Sequence, residues 1–392
     1  MQAPRSRSLG AHTRPVIGIP PRAPRRPAAS RNAGARRGTI LGAVAIALVL
    51  VVALLPSPYA VEQPGPVFNT LGSSGTGKDE APLISIPGRT TYPTSGRLDL
   101  LTVSVLGSVS GGPSWLDLAE AWLDPRKAVI PLEAVFPSGQ TQQQAERESA
   151  DEMTGSQNSA VAAALTQLGY DVQGRVTIGT VQPGSAAAGA LRAGDVVTSY
   201  AGDAIGDSCA LQNAVLQHGV SAASVVVTRG GASRTVRVVP KRVPDGSGGT
   251  RPLLGVSTSV RITPPFPVKL RIEDVGGPSA GMMFALGIID KLTPGAMTGG
   301  RHIAGTGTIC GDGEVGAIGG IVQKMAAARA AGATLFLAPK SNCDEVVGHI
   351  PGGLDVVPVT TLSGAMETLE HVRDQGSAAG LPTCEAAVGS AG

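Results

Sequence analysis

Aromatic side chains are scarce in this sequence: Phe, Tyr and Trp together make up 3% of 392 residues. Its cores must therefore be built from Val, Leu, Ile and Ala, and the length leaves room for two or three domains, each with its own core. Cysteine is almost as rare. Cys209, Cys310, Cys343 and Cys384 are scattered with no C-x-x-C pair, which excludes the usual zinc spacings and predicts no metal. Clustered positive charge is missing from most of the chain. The formal charge is +3, but the first 61 residues hold nine arginines and no acid, so the remainder stands at −6. A slightly acidic body without a basic face excludes nucleic acid as a partner, because that binding rests on neutralising phosphates.

Long apolar runs are also missing, with one exception. Residues 38–55, GTILGAVAIALVLVVALL, run 18 residues without a charge, enough at about 1.5 Å per residue to cross a bilayer core as a transmembrane helix. Arg36 and Arg37 precede the run and Pro56 closes it. The positive-inside rule then keeps a disordered, Arg- and Pro-rich leader, residues 1–37, in the cytoplasm and exports everything after the run. A single-pass protein of the cell membrane is expected. A cleaved signal peptide competes, but Pro58 interrupts the small-x-small pattern in Ser57-Pro58-Tyr59-Ala60. Export permits disulfides, and Cys310 with Cys343 is the first candidate because both fall in one domain, among the three pairings four cysteines allow.

Residues 62–168 form an extracytoplasmic N-terminal region of no legible function, in which Leu98–Leu106 reads as a strand and Gln143–Leu168 as a helix ended by Gly169. From Gly174 the pattern turns to short strands, with a helix over about Ala210–His218 and a hairpin turning at Gly230-Gly231. The run VQPGSAAAGALRAGDVV, residues 181–197, closely resembles bacterial PDZ domains. The resemblance implies a mainly-β domain over 169–243 that holds a peptide C-terminus as an added strand, with the carboxylate on the loop Leu168-Gly169-Tyr170. A purely structural module is the plainer alternative. The polar linker Lys241–Thr250 sets off a C-terminal domain, residues 250–370, in which strands alternate with helices as in α/β or α+β folds. The small-residue segment 375–392 is expected as a flexible tail.

Within that C-terminal domain, RIEDVGGPSAGMMFALGIIDKL (271–292) passes from strand to glycine turn to helix. Pro278 at a first-turn position would place Ser279 at the helix N-terminus, where free N–H groups and the dipole can hold an oxyanion. Gly276 and Gly277 allow a substrate backbone close. A serine needs a base. In GGIVQKMAAAR (319–329), Lys324 shares a helix face with Ile321, Ala327 and Ala328, so burial would lower its pKa and leave a neutral amine to take the serine proton.

GGPSAG (276–281), TGTI (306–309) and IGGIVQK (318–324), in that order, resemble the proteolytic domain of Lon proteases. The resemblance implies Ser279 as nucleophile, Lys324 as its dyad partner and Thr306 in a supporting place, with Gly277 and Pro278 shaping the nucleophile turn. The order of apolar run, PDZ-like segment and Lon-like segment resembles bacterial YlbL-type membrane proteases. It implies protein or peptide substrates, C-terminal peptides on the PDZ-like segment, self-association into a homo-oligomer, and no cofactor. Val275-Gly276 depart from the usual Lys-Asp, and Cys310 from the usual Leu. A G-x-S-x-G esterase elbow also fits Gly277–Gly281, with His302, His349 and His371 downstream, and a catalytically dead peptide-binding scaffold is the blander alternative. Gly72-Ser73-Ser74-Gly75-Thr76-Gly77-Lys78 imitates a P-loop, but Asp79 stands where a magnesium-binding hydroxyl belongs. It reads as a loop, with no nucleotide.

Overall fold

The computed structural model describes residues 31–75, 80–137, 139–244, 249–272 and 275–389, which fall into two units, 1–54 and 55–392. In the first unit, helix α1 spans Arg31–Ala53. It takes in the last arginines of the leader, so the helix begins before the expected boundary at residue 38, and residues 1–30 lie outside the described residues. Ile40, Leu41, Val44, Ile46, Leu48 and Val49 are all exposed. Among the described residues no helix is long and apolar enough to cross a membrane.

The second unit is organised by a six-stranded mixed sheet. Its strands in chain order are β1 (Tyr59–Asn69), β2 (Arg97–Leu106), β3 (Ala128–Pro131), then β11 (His302–Gly305), β14 (Leu335–Pro339) and β15 (Asp355–Val359), adjacent in the order β15-β14-β11-β2-β1-β3. β1 is antiparallel to β2 and β3, whereas β2, β11, β14 and β15 run parallel. Central parallel strands need both faces covered, and their sequences are correspondingly continuous in apolar residues. In β14, Leu335 and Leu337 enter one core, while Phe336 and Ala338 enter the other. Helix α5 (Gly281–Leu292) fills the first core and α6 (Ile321–Ala331) the second.

Residues 59–131 are thus half of the sheet that carries the C-terminal segment. They are not a region of their own, which corrects the division at residue 168. Helix α2 (Trp115–Leu123) covers β1, and α3 (Gln142–Gln167), opened by a Thr141–Gln144 capping box, packs against α5.

Between α3 and α5 the chain makes an excursion into a smaller sheet, in the order β7-β6-β5-β4-β10. The strands are β4 (Gln173–Val181), β5 (Val196–Tyr200), β6 (Ala223–Arg229), β7 (Ala232–Val238) and β10 (Val256–Thr263), with helix α4 (Ser208–His218) alongside. β10 pairs with β4 from Val256↔Val181 to Thr263↔Gln173. The inserted domain therefore runs to Thr263, past the expected boundary at 243. The linker itself pairs as β8 (Lys241–Pro244) with β9 (Thr250–Leu253), around residues 245–248 outside the described set. Polar alternation in VSTSVRIT had hidden an edge strand with one wet face.

The cysteines pair as Cys209–Cys310 and Cys343–Cys384, which overturns Cys310–Cys343. Cys310 leaves the large sheet toward the inserted domain, whereas Cys343 is buried in the core beside α6. The tail is correspondingly anchored: α7 (Leu362–Gln375) and α8 (Cys384–Gly389) are helical, and Cys384 is fully buried. Of the P-loop-like stretch, Ser73-Ser74 form a short strand and residues 76–79 lie outside the described set. Replacing Cys343 and Cys384 together by Ser should lower unfolding free energy by about 4 kcal/mol, read by denaturant titration, because a loop of 41 residues is released in the unfolded chain.

Candidate active site

Helix α5 begins one step later than the sequence suggests. Ala280 is its N-cap, so Pro278 and Ser279 sit on the turn before it. The turn is possible because Gly277 takes φ +81, a left-handed conformation that side-chain-bearing residues rarely adopt. Gly276 lies where a Cβ would overlap the Ser149 side chain of α3, and the Gly277 N–H donates to the Ser149 carbonyl at 3.1 Å. Ser156, also on α3, donates through Oγ to the Pro278 carbonyl at 2.8 Å. One long helix therefore holds the nucleophile turn from outside.

From inside, the turn is held by residues 306–307, just past β11. The Gly307 N–H and the Thr306 Oγ1 both donate to the Ser279 carbonyl, at 2.9 and 3.0 Å. The Gly307 carbonyl accepts from Met282 N at 3.1 Å. With its backbone gripped on both sides, Ser279 presents Oγ to Lys324 Nζ at 2.8 Å. Among the described residues the Ser279 and Ala280 N–H groups find no backbone acceptor. They lie at the positive end of α5, where a developing oxyanion would be stabilised.

Lys324 comes from the first turn of α6, whose N-cap Gly320 has φ +66. A Cβ at Gly320 would stand 2.6 Å from Val103 Cγ2 on β2, so only glycine lets α6 start this close to the sheet. The lysine is 3% exposed. Its Nζ reaches Thr306 Oγ1 at 3.3 Å as well as Ser279. Because the Thr306 hydroxyl proton is given to the Ser279 carbonyl, its oxygen is free to accept an amine proton, which leaves the lone pair of a neutral amine for the Ser279 hydroxyl.

Burial brings the Lys324 ammonium down from 10.5 to about 8, against a smaller upward pull from Glu62. At pH 7.5 that leaves about a quarter of the amines neutral, against roughly one in a thousand for an unperturbed lysine. Glu62, on β1, was not singled out by its sequence context of E-Q-P-G-P. It is half-buried in the same cleft, and desolvation raises its own pKa against the lowering pull of Lys324. The cleft is about 530 Å³ and is walled by Glu62, Thr102, Val103, Met153 and Val275 around the dyad.

The histidines are engaged elsewhere: His302 with Asp99, His349 with the Glu345 carbonyl and His371 with the Ala379 carbonyl. None reaches Ser279, so the esterase triad is not assembled. Cys310, Asp312 and Glu314 converge, but the sulfur is in a disulfide and Glu314 accepts from Asn213.

The loop Leu168-Gly169-Tyr170 is not free to bind a carboxylate. Its N–H groups donate to the carbonyls of Ala164, Thr166 and Leu165, and Tyr170 packs edge-on against Phe266. A groove of about 250 Å³ lies instead between α4 and the exposed edge of β10, lined by Leu211, Val215, Leu216 and Leu253–Val256. Its far end is closed by a 2.8 Å hydrogen bond between Ser208 and Thr258. The L-L-G-V run at 253–256 was the available signal, obscured by the linker beside it.

Residues 274–371 match the Lon protease (S16) C-terminal proteolytic domain, a quarter of the chain. The chain carries a Lon-type proteolytic segment. Archaeal Lon protease of Archaeoglobus fulgidus is 34% identical over 106 residues, covering 26% of this chain and 16% of that protein. Lon protease of Clostridioides difficile is 37% identical over 94 residues, 23% and 12% of the two chains. This chain thus spans less than a fifth of these relatives' length. The PDZ domain of an SdrC-like protein from Listeria monocytogenes aligns to 21% of this chain and 85% of its own, at 21% identity and a TM-score of 0.19.

Peptide-cleavage rate should rise with pH through an acidic limb near 8 as Lys324 loses its proton, and plateau above it. In Glu62→Gln the upward pull on the amine is gone, so the limb should move down by roughly half to one pH unit. A kcat/KM profile reads both.

Proposed function

We propose that this protein is an ATP-independent serine endopeptidase of Lon type, anchored in the cell membrane by residues 38–55, that cleaves exported or membrane-associated proteins. The observation that carries it is the 2.8 Å contact between Ser279 Oγ and a buried Lys324 amine. Neutral Lys324 takes the Ser279 proton as Oγ attacks the scissile carbonyl carbon. The oxyanion is received by the Ser279 and Ala280 N–H groups. The Lys324 ammonium then gives its proton to the leaving amine, and an acyl ester on Ser279 remains. Water attacks that ester after losing a proton to the same amine, and Ser279 is regenerated.

Anchoring is supported by the charge-free run and by the apolar side chains α1 turns outward on all sides, which in water would be costly. The inserted domain is proposed as a PDZ-type selector that takes a substrate C-terminus on the β10 edge, by strand addition. Its helix α4 is tied to the short hairpin of β12 (Thr308–Ile309) and β13 (Val315–Gly316) that follows Thr306: Cys209 is bonded to Cys310, Asp207 accepts from Gly311 N at 3.0 Å, and Asn213 donates to Glu314 at 2.8 Å. A ligand that parts Ser208 from Thr258 would pull on residues a few positions from Thr306. Self-association into a ring is carried by resemblance alone.

Ser279→Ala and Lys324→Ala should each lower cleavage of an unfolded exported protein at least about a thousandfold with the fold intact by circular dichroism. Full activity in either would overturn the dyad, and a wild-type protein inactive on every exported peptide tried would leave a peptide-binding scaffold. Leu216→Glu, at the rim of the groove, should weaken binding of C-terminal peptides about tenfold, measured by titration calorimetry, without slowing hydrolysis of a short unstructured peptide.

A further inference from the structure

We propose that the outer face of α2, with the end of β2, lies in the headgroup layer of a lipid bilayer and holds the catalytic cleft close to the membrane surface; this rests on residues 38–55 being the anchor. Helix α2 has two apolar faces. Leu118 and Ala121 are buried on Val61, beside Tyr59 and Val129. At about 100° per residue, Trp115, Leu116, Ala119, Trp122 and Leu123 form a second stripe, with Asp117 and Glu120 on the remaining side. Trp115 leans edge-on against Tyr59 at one end of that stripe, and the rest stands open: Leu116 is 60% exposed, Trp122 65% and Leu123 86%. Val105 and Leu106 are exposed at the end of β2, where Leu106 is the register partner of Val61 under the helix.

Lipid is the occupant favoured by where this face is tied. Pro56 bridges to Ser114, Ser57 N donates to the Pro113 carbonyl at 3.0 Å, and Gly112 N donates to the Ser57 carbonyl at 3.0 Å. The first turn of α2 is thus bonded to the first residues after the apolar run, with no intervening slack. If the run spans, Ser57 is at the bilayer surface and so is α2, which at nine residues is only about 13 Å long. The chain's two tryptophans, Trp115 and Trp122, both stand on this helix, and Trp is the side chain that prefers the lipid–water interface. Arg126 and Lys127 beyond the helix are paired with Asp124 and Glu120, so adsorption should rest on apolar insertion and need no anionic lipid. Glu62 in the cleft wall is five residues from Ser57, a reach of about 17 Å at most. The substrates this placement favours are membrane-proximal segments of other membrane proteins.

The two tryptophans make the test intrinsic. The full chain is reconstituted in zwitterionic phosphatidylcholine vesicles whose acyl chains are brominated near the headgroup, beside unbrominated controls. Bromine should reduce Trp emission about twofold, with Trp115→Phe and Trp122→Phe each retaining part of the effect. Trp122→Glu with Leu123→Glu should abolish it while the protein still floats with the vesicles. Flotation with emission indifferent to bromine would overturn the surface and leave the anchor; emission that instead follows protein concentration would mark it as a contact between copies, which also overturns it. Failure to float would remove anchor and surface together.

Discussion

Everything in the catalytic unit depends on keeping one lysine amine dry and within hydrogen-bond distance of one hydroxyl. An exposed Lys324 would be charged and could accept no proton; a buried one without a partner would be a heavy desolvation cost. The fold meets both demands with two polar contacts, Ser279 and Thr306, and a core of Ile321, Met325 and Ala328 behind them. Glu62 opposes the drop in amine pKa from across the cleft. The surrounding glycines follow from that geometry, since Gly320 allows α6 to begin against β2 and Gly277 allows the nucleophile turn to reverse direction.

The same constraint explains why the chain is woven as it is. Ser279 leads into α5, which packs on one face of the sheet, and Lys324 lies on α6, which packs in the core of the other; the two side chains meet just past the end of β11. Holding that meeting point takes strands from the far N-terminal side of the inserted domain, β1 and β2, and the helix α3 that precedes the insertion. The inserted domain is thereby attached at both ends to elements of the site. Asn158 on α3 donates to the Val260 carbonyl of β10 at 2.9 Å, two residues from Ser156 and about two and a half helical turns from Ser149, whose contacts hold the nucleophile turn. The inserted domain and the site are joined by this short contact and by the covalent link from Cys209 to Cys310.

Local pattern and local composition made several elements legible. The α3 helix was readable within a residue at each end, because a long stretch free of Pro closes on Leu168-Gly169, and the β6–β7 hairpin from a Val-rich run with a Gly-Gly turn. The meeting of Ser279 with Lys324 was readable because both lie in short motifs with a mechanical reason for each glycine. Glu62, the L-L-G-V groove and the true cysteine partners were not, since each owes its meaning to a neighbour more than forty residues away or to an edge left open by the fold. Leu168–Tyr170 failed for the opposite reason: a loop that looked available had already spent its N–H groups on the end of α3.

By itself, then, the sequence determined which helices and strands could form, that no metal or phosphate motif of standard spacing is present, and which serine and lysine had the chemistry to act together. Only the tertiary structure decided that residues 59–131 complete the sheet behind Ser279 and Lys324, that Cys310 joins Cys209, and that Glu62 faces the amine. The division has a physical cause. Periodicity, turn chemistry and capping act over a few residues and are written locally, whereas sheet order, desolvation and charge proximity are properties of a packed interior that exists only once distant segments have met.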